Sequence, residues 1–157
     1  MIRYAIDNGI NYIDNGYTYH GGMSKSIVRK ALQGGYREKV YIATKLPTWQ
    51  ITNRESMDLF LSEQLKRLKT DYIDFYLLHA LNSDLWDLAI KHRVFDFLKS
   101  SLKDKKIKYT GFSFHDNLDL FKEIVDSYPW DLCQIQYNFL DESFQAGREG
   151  LMYAASK

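Results

Sequence analysis

The stretch YIDFYLL, residues 72–78, decides the fold, because it is apolar or aromatic throughout except for one aspartate. Polar and apolar residues do not alternate in it, as they do in a strand with one face in water. A nearly continuous apolar run is typical of a parallel strand that is covered on both faces. The run VYIATKL, residues 40–46, has the same character. The two runs together predict an α/β protein built on a parallel sheet.

Strand-like runs recur at a spacing of about thirty residues, which is the size of one βαβ unit. The five runs cover residues 11–14, 40–45, 72–79, 108–113 and 131–137. Amphipathic segments predict helices between them at 24–33, 52–68, 85–103, 118–127 and 144–156, and the end of a further helix at 2–8. The helix at 52–68 begins with a capping-box pair, Thr52 and Glu55, and continues with apolar residues at helical spacing. The chain therefore alternates strand and helix throughout.

The number of strands suggests part of a barrel. A complete (β/α)8 TIM barrel needs about 250 residues, whereas this chain has 157. We expect residues 1–157 to form one incomplete barrel domain that corresponds to strands two to six, with the first strand and the last two β/α units absent. Such an arc has two unpaired edges, which favour self-association.

The composition describes a globular chain without a dominant charge. Lys and Arg number 21 and Asp and Glu 20, giving a net charge of +1. Binding to nucleic acid or to a membrane surface needs a patch of one sign, so we expect neither partner. The single cysteine, Cys133, lies in an apolar run and is expected to be a core residue. With no second cysteine for a disulfide and no signal-peptide pattern, the expected location is the cytoplasm.

Polar residues stand where the predicted strands end. The first four strands finish on Asp14, Lys45, His79 and Ser113, and the fifth carries Gln134. Taken singly, such a residue is more often solvated or part of ordinary hydrogen bonding than functional. The C-terminal ends of parallel strands in α/β folds lie on one face, however, so these side chains should converge. Their convergence predicts an active site at that face.

Four motifs in this order resemble those of the aldo-keto reductase family. They are NYIDNGYTY at 11–19, IATKL at 42–46, DYIDFYLLH at 71–79 and GFS at 111–113. The local form, with GFSFHD and QIQYNFLD, is most similar to the bacterial and archaeal branch whose longer members carry a C-terminal iron–sulfur segment. The resemblance implies an NAD(P)H-dependent oxidoreductase that reduces small aldehydes or ketones, with NADP favoured over NAD. An iron–sulfur cluster would belong only to a segment outside this chain.

The resemblance also implies roles for six residues. The family's catalytic tetrad matches Asp14, Tyr19, Lys45 and His79, and the residues that hold the nicotinamide carboxamide match Ser113 and Gln134. Tyr19 would be the general acid, because a nearby ammonium favours the phenolate that remains after proton donation. Asp14 would keep Lys45 charged, and His79 would hold the carbonyl oxygen.

The sequence departs from the family's common pattern at three places. Phe114 replaces an asparagine, Asn15-Gly16 replace Thr-Ala, and Ser24-Lys25 replace Ser-Glu. The first removes one expected contact to the carboxamide. The other two are expected to change only the surface of the loop and the helix.

Alternatives remain at the level of sequence. Tyr17 competes with Tyr19 as the acid but is expected to line the pocket wall. His20 and His115 suggest a metal site with Asp14 and His79, which the absence of an HxH pair disfavours, so no metal is predicted.

The phosphate-binding strands of the family are missing, so we expect this chain alone to be weakly active or inactive. A truncated relative that only binds or scaffolds is the alternative.

Overall fold

The computed structural model describes residues 1–157, in which five parallel strands form a curled half-barrel with helices between them. The strands are β1 (Tyr12–Asp14), β2 (Tyr41–Leu46), β3 (Ile73–Leu81), β4 (Ile107–Phe114) and β5 (Leu132–Ile135). The α-helices are α1 (Ile2–Asp7), α2 (Ser24–Ala31), α3 (Arg54–Leu68), α4 (Ser83–Lys91), α5 (Val94–Lys103), α6 (Leu118–Ser127) and α7 (Gly147–Ala155), with short 3₁₀ helices at Arg37–Lys39 and Thr48–Gln50. Each strand pairs in parallel with its sequence neighbour, in the order β1-β2-β3-β4-β5. The predicted fold class is confirmed.

The two faces of the sheet carry different side chains. On β3, the fully buried Tyr76 packs against Phe97 of α5, so this face meets the helices. The alternate residue, Phe75, lies on the opposite face, where it stacks on Tyr109 at 4.9 Å between ring centroids and contacts Tyr12 and Tyr41. Period two along each strand puts the site residues on the same concave face as this aromatic row.

A buried carboxylate ties three strands together at the N-terminal end of the sheet. Asp74 is 2% exposed, and its Oδ2 accepts hydrogen bonds from Arg37 at 2.7 Å and from the backbone N–H of Ile42 at 3.0 Å. Its Oδ1 accepts from Lys108 at 3.1 Å. The Arg37 and Lys108 side chains also lie against the ring of Tyr72. We call these residues the Asp74 cluster.

The helix predicted at 85–103 is wrong, because the structure has two helices there. Arg93 adopts a left-handed conformation with φ of 55° and separates α4 from α5. The two helices pack on different surfaces: α4 lies against β3 and the 3₁₀ helix at Thr48–Gln50, whereas α5 lies against β4 and α3. One straight helix could not bury Trp86 on the first surface and Phe97 on the second.

Smaller boundaries also differ from prediction. The capping box of α3 uses Asn53 and Ser56 rather than Thr52 and Glu55: the Asn53 side chain accepts from the Ser56 N–H at 2.8 Å, and the Ser56 hydroxyl accepts from the Asn53 N–H. The N-cap therefore lies one residue later than predicted, at Asn53 instead of Thr52. Strand β5 is shorter than the predicted 131–137, and β3 continues beyond His79 to Leu81.

The edges of the sheet are β1 and β5, each of which has one strand neighbour. At the β4–β5 contact, a side chain on Gly111 would place its Cβ against the carbonyl oxygen of Leu132. The close approach of these two backbones therefore requires glycine. None of the helices is both long enough and apolar enough to cross a bilayer.

Candidate active site

Lys45 is the centre of a charged cluster at the C-terminal end of the sheet. Strand β2 carries it among buried neighbours, and the residue is 1% exposed. Its Nζ donates to Asp14 Oδ1 at 2.6 Å, to the carbonyl oxygen of Asn15 at 3.2 Å and to Tyr19 Oη at 3.0 Å. Three donors thus meet three acceptors, which is what a buried ammonium requires. Asp14 ends the neighbouring strand and keeps 32% of its side chain exposed.

Tyr19 reaches Lys45 because the chain folds back after β1. Its ring lies over Gly16, where an added Cβ would come within 2.6 to 2.8 Å of the ring carbons. Only a residue without a side chain leaves room for the ring there. The turn itself is tied down by the buried Asn15, whose Oδ1 accepts from the Gly16 N–H at 2.8 Å and whose own N–H donates to Ala43. The Lys45 Nζ lies 4.8 Å from the centre of the Tyr19 ring, in cation–π range.

His79 lies in a β-bulge of β3. Leu78 pairs with Phe112 and Leu81 with Phe114, so His79 and Ala80 together oppose the single residue Ser113. Ala80 has a φ of 56°, and its N–H donates to Ser113 Oγ at 2.7 Å. The predicted end of the strand at His79 is therefore a bulge, which aims the imidazole at the cluster.

The imidazole of His79 is kept neutral. Burial, together with the nearby Lys45 ammonium, lowers the pKa of His79 from 6.5 to about 4, and Asp14 opposes this only in part. The ring lies 5.9 Å from that of Tyr19 and 5.1 Å from that of Trp49, measured between centroids. Its Nδ1 is buried without a hydrogen-bond partner in the protein. Because this Nδ1 is buried, the neutral ring can hydrogen-bond an incoming polar atom only through its other nitrogen, Nε2.

Ser113 and Gln134 complete the group of predicted site residues. Gln134 on β5 lies beside Asp14, with 3.4 Å between its Nε2 and Asp14 Oδ2. A cleft of about 270 Å³ is lined by Tyr19, Lys45, His79, Ser113, His115, Gln134, Ile135 and Gln136. Asp14 is not one of these lining residues, but it contacts two of them, Lys45 and Gln134. The structure thus brings all six predicted residues together.

A larger groove lies elsewhere. It has a volume of about 840 Å³ and runs along β5 between α6 and α7, among apolar residues such as Tyr128, Trp130 and Leu151. Cys133 also lines it, half-buried, and burial raises the pKa of the Cys133 thiol. No tetrad residue borders this groove, so its size does not make it the candidate active site.

Two expectations about neighbouring residues are wrong. Tyr17 does not line the cleft: its ring packs edge-on against Phe60 of α3, and its hydroxyl donates to Glu63 at 3.2 Å. The Asn15 and Lys25 substitutions are not on the surface, since these residues are 0% and 1% exposed. Helix α2 turns Lys25 inward beneath the turn that carries Tyr19.

Three further observations concern residues around the cleft. His20 is exposed, and no group of three or more His, Cys, Asp or Glu residues is arranged to hold a metal ion. Phe114 is fully buried against Phe112 and Phe121, so it offers the cleft no polar atom. Trp49, which the sequence analysis did not single out, is 40% exposed beside His79. Its only signal in the sequence is its position four residues after Lys45.

A half-barrel that gathers a lysine–carboxylate pair, a tyrosine and a neutral histidine at the C-terminal ends of its strands has the design of a β/α-barrel enzyme. The model of the aldo/keto reductase family matches residues 1–153, and the chain belongs to that family. The chain is 31% identical over 152 residues to the aldo-keto reductase YhdN of Bacillus subtilis, covering 92% of this chain and 44% of that protein. It therefore spans less than half the length of this curated relative.

Solved structures show the same relation. A Pseudomonas aeruginosa protein described as an aldo-keto reductase superposes with a TM-score of 0.79 at 26% identity, over 99% of this chain and 60% of that one. An aldo/keto reductase of Klebsiella pneumoniae, solved in complex with NADP and acetate, superposes with a TM-score of 0.62 at 29% identity, over 71% of this chain and 37% of that one. The half-barrel is thus the fold of part of these larger chains.

Proposed function

We propose that this chain carries the proton-donating half of an NAD(P)H-dependent carbonyl reductase, with Tyr19 as the general acid. The observation that carries the proposal is the position of the Lys45 ammonium, which is buried and shared between Asp14 and Tyr19. Reduction of an aldehyde or ketone places negative charge on its oxygen, and a proton must reach that oxygen. The ammonium stabilises the phenolate that Tyr19 becomes when it gives up the proton.

The other residues orient the reactants. Neutral His79 holds the carbonyl oxygen near the Tyr19 hydroxyl by donating an N–H from its other ring nitrogen, Nε2. Asp14 keeps the proton on Lys45, because removing it would leave a carboxylate without its cation. Ile135 and the exposed ring of Trp49 line the approach of the substrate's carbon skeleton.

The residues present also fit a nicotinamide. The Ser113 Oγ accepts from Ala80, which leaves the hydroxyl hydrogen available to a carboxamide oxygen. Gln134 makes only a long hydrogen bond to Asp14 and can exchange it for the carboxamide. When bound, the reduced cofactor supplies the hydride to the carbonyl carbon. We propose NADP rather than NAD as the cofactor of this chain, and the Klebsiella pneumoniae relative, whose structure contains NADP, supports this preference.

The chain alone is proposed to turn over weakly or not at all. Hydride transfer needs the reacting atoms within about 3 to 3.5 Å, and remote binding contacts commonly supply the energy that holds them there. The chain spans 44% of the Bacillus subtilis relative. The iron–sulfur branch, a cytoplasmic location and self-association through the edges of β1 and β5 likewise stay predictions.

The test is a graft in which this chain replaces the matching part of the Bacillus subtilis relative. We expect the graft to oxidise NADPH in the presence of 4-nitrobenzaldehyde, and Tyr19→Phe to lower kcat by about 10²- to 10⁴-fold, the usual contribution of a general acid. The matched control is Tyr17→Phe, which removes a hydroxyl from the same loop and should leave kcat unchanged. If Tyr17→Phe lost activity and Tyr19→Phe did not, the assignment of Tyr19 as the general acid would be wrong. An inactive graft that still folds would favour the non-catalytic binding role.

A further inference from the structure

A second buried lysine lies behind the proposed acid. Lys25 is the second residue of α2, is 1% exposed and forms no ion pair. Its Nζ donates to the carbonyl oxygen of Gly16 at 2.9 Å. An unpaired buried ammonium is expensive, and a hydrophobic residue would fill the same space without that penalty. A lysine here therefore needs an explanation beyond packing.

The groups around Lys25 do not neutralise it. The Tyr17 ring lies 5.6 Å from its Nζ, Glu63 and Arg67 face it from α3, and Lys45 faces it from β2. Burial, with the like charge of Arg67 and to a lesser degree Lys45, lowers the pKa of Lys25 from 10.5 to about 8, against the attraction of Glu63. The side chain therefore loses its proton within a pH range that an enzyme encounters.

The hydrogen-bond partner of Lys25 is Gly16, the residue against which the Tyr19 ring packs. The ring rests on the α-carbon of Gly16, with no room for a Cβ between them. Any movement of the Gly16 peptide consequently moves the ring, and with it the 3.0 Å contact between Tyr19 Oη and Lys45 Nζ. An ammonium holds a carbonyl oxygen with a charge-assisted hydrogen bond, which is stronger than that of a neutral amine.

We propose that Lys25 is a positioning residue, which fixes the Gly16 peptide under Tyr19 when protonated and releases it when neutral. The proposal rests on the proposed role of Tyr19 as the acid. On this proposal, the alignment of Tyr19 depends on a second proton, the one that Lys25 carries when it donates to the Gly16 carbonyl oxygen. A carboxylate at position 25 could not do this, because it has no hydrogen to donate to a carbonyl.

The decisive measurement is a pH titration of the 157-residue chain by NMR, with ¹³C at the tyrosine Cζ and the lysine Cε. Tyr19→Phe and Lys25→Arg assign the two resonances. We expect the Lys25 signal to titrate near pH 8 and the Tyr19 signal to shift in a step at the same pH. Lys25→Arg keeps a permanent charge and should abolish this step, as should Lys25→Met. Lys30→Met, which removes an exposed lysine from the same helix, is the matched control and should retain it.

A step in the Tyr19 signal that survives in Lys25→Arg would overturn the proposal, as would a Lys25 signal that titrates near its ordinary value. Lys25→Arg and the unmodified chain decide the question even if Lys25→Met does not fold. Kinetics in the graft give a second readout: Lys25→Met should lower kcat by about tenfold or more while leaving KM for the aldehyde within about twofold, as displacement of an acid predicts. Should the graft be inactive, the proposed function fails, whereas the titration still tests the clamp.

Discussion

Two buried charge clusters lie at opposite ends of the same sheet, and they are built in opposite ways. In the Asp74 cluster the carboxylate is the buried member, at 2% exposure, and both of its oxygens are occupied by Arg37, Lys108 and a backbone N–H. At the other end the cation is the buried member. Lys45 is 1% exposed, whereas its partner Asp14 is 32% exposed.

The difference lies in what each cluster leaves free. Every acceptor of Asp74 faces a donor that belongs to the protein, so the cluster can only hold β2, β3 and β4 together. Lys45 instead gives one of its hydrogens to Tyr19, which lines the cleft together with His79. A closed network stabilises the fold, whereas an open one can pass its electrostatic effect to a ligand.

Asp74→Asn should give the largest loss of stability. Both Asp74 oxygens face only donors, so the asparagine NH₂ group that replaces one of them is buried against a donor, and breaking a buried pair in this way costs up to about 3 to 5 kcal/mol in the free energy of unfolding. Urea denaturation followed by circular dichroism measures this value. Asp71→Asn, an exposed change just before β3, is the control and should be close to neutral. A loss below about 1 kcal/mol would show that the cluster is not the closed network described.

Gly16→Ala should be next in size. The new Cβ would overlap the Tyr19 ring, and overpacking of this kind costs about 1 to 3 kcal/mol. The same change should break the contact between Tyr19 and Lys45, which the Tyr19 Cζ resonance reports. In a Tyr19→Ala background the overlap has no partner, so alanine at position 16 should then cost little. Equal losses in the two backgrounds would place the strain outside the ring.

His79 should make stability depend on pH. Its pKa of about 4 lies below the ordinary 6.5, so the unfolded chain binds a proton more readily than the folded one. The neutral ring's contribution is fully present above pH 6.5 and is lost as the pH falls through 4. Allowing for partial solvent screening, the loss should be about 1 to 2 kcal/mol. The urea midpoint of the unmodified chain should fall between pH 7 and pH 4. This dependence on pH should be weaker in His79→Gln and unchanged in the exposed control His20→Asn.

Lys45→Met should change stability least. The substitution removes the buried member of the pair together with the cost of burying its charge, and the Asp14 left behind is 32% exposed and regains water, so we expect a change within about 1 kcal/mol. Tyr19 should nevertheless lose its alignment, as its Cζ resonance would show. If Lys45→Met were as destabilising as Asp74→Asn, the two clusters would both be structural and the contrast would fail.

The sheet could be predicted from sequence because a continuous apolar run such as 72–78 has few ways to bury both of its faces. Four strand-end residues in register then placed the cleft, since parallel strands share one C-terminal edge. The break at Arg93 could not be predicted, because no glycine or proline marks it and the left-handed residue is imposed by the two packing surfaces of α4 and α5. The bulge at His79 could not be predicted either, because no residue type in the sequence there indicates it.

The residues beneath the cleft were harder still. A lysine on an amphipathic helix is ordinarily solvated, so nothing in the sequence distinguishes the buried Lys25 from the exposed Lys30 on the same helix. Tyr17 and Tyr19 differ by two positions in one loop, yet one packs against α3 and the other meets Lys45. Such outcomes depend on how the loop closes over neighbouring elements, which only the three-dimensional arrangement contains.

The sequential order of the strands also bears on how the molecule is made. Because β1 to β5 lie side by side in the order of synthesis, no strand inserts between two that were made earlier. A nascent chain leaving the ribosome can therefore add each β/α unit to the edge formed by the one before it. Each addition closes a loop of about one βαβ unit, so the entropy cost of pairing stays nearly constant along the chain. Translation and assembly can thus advance in the same direction, one unit at a time.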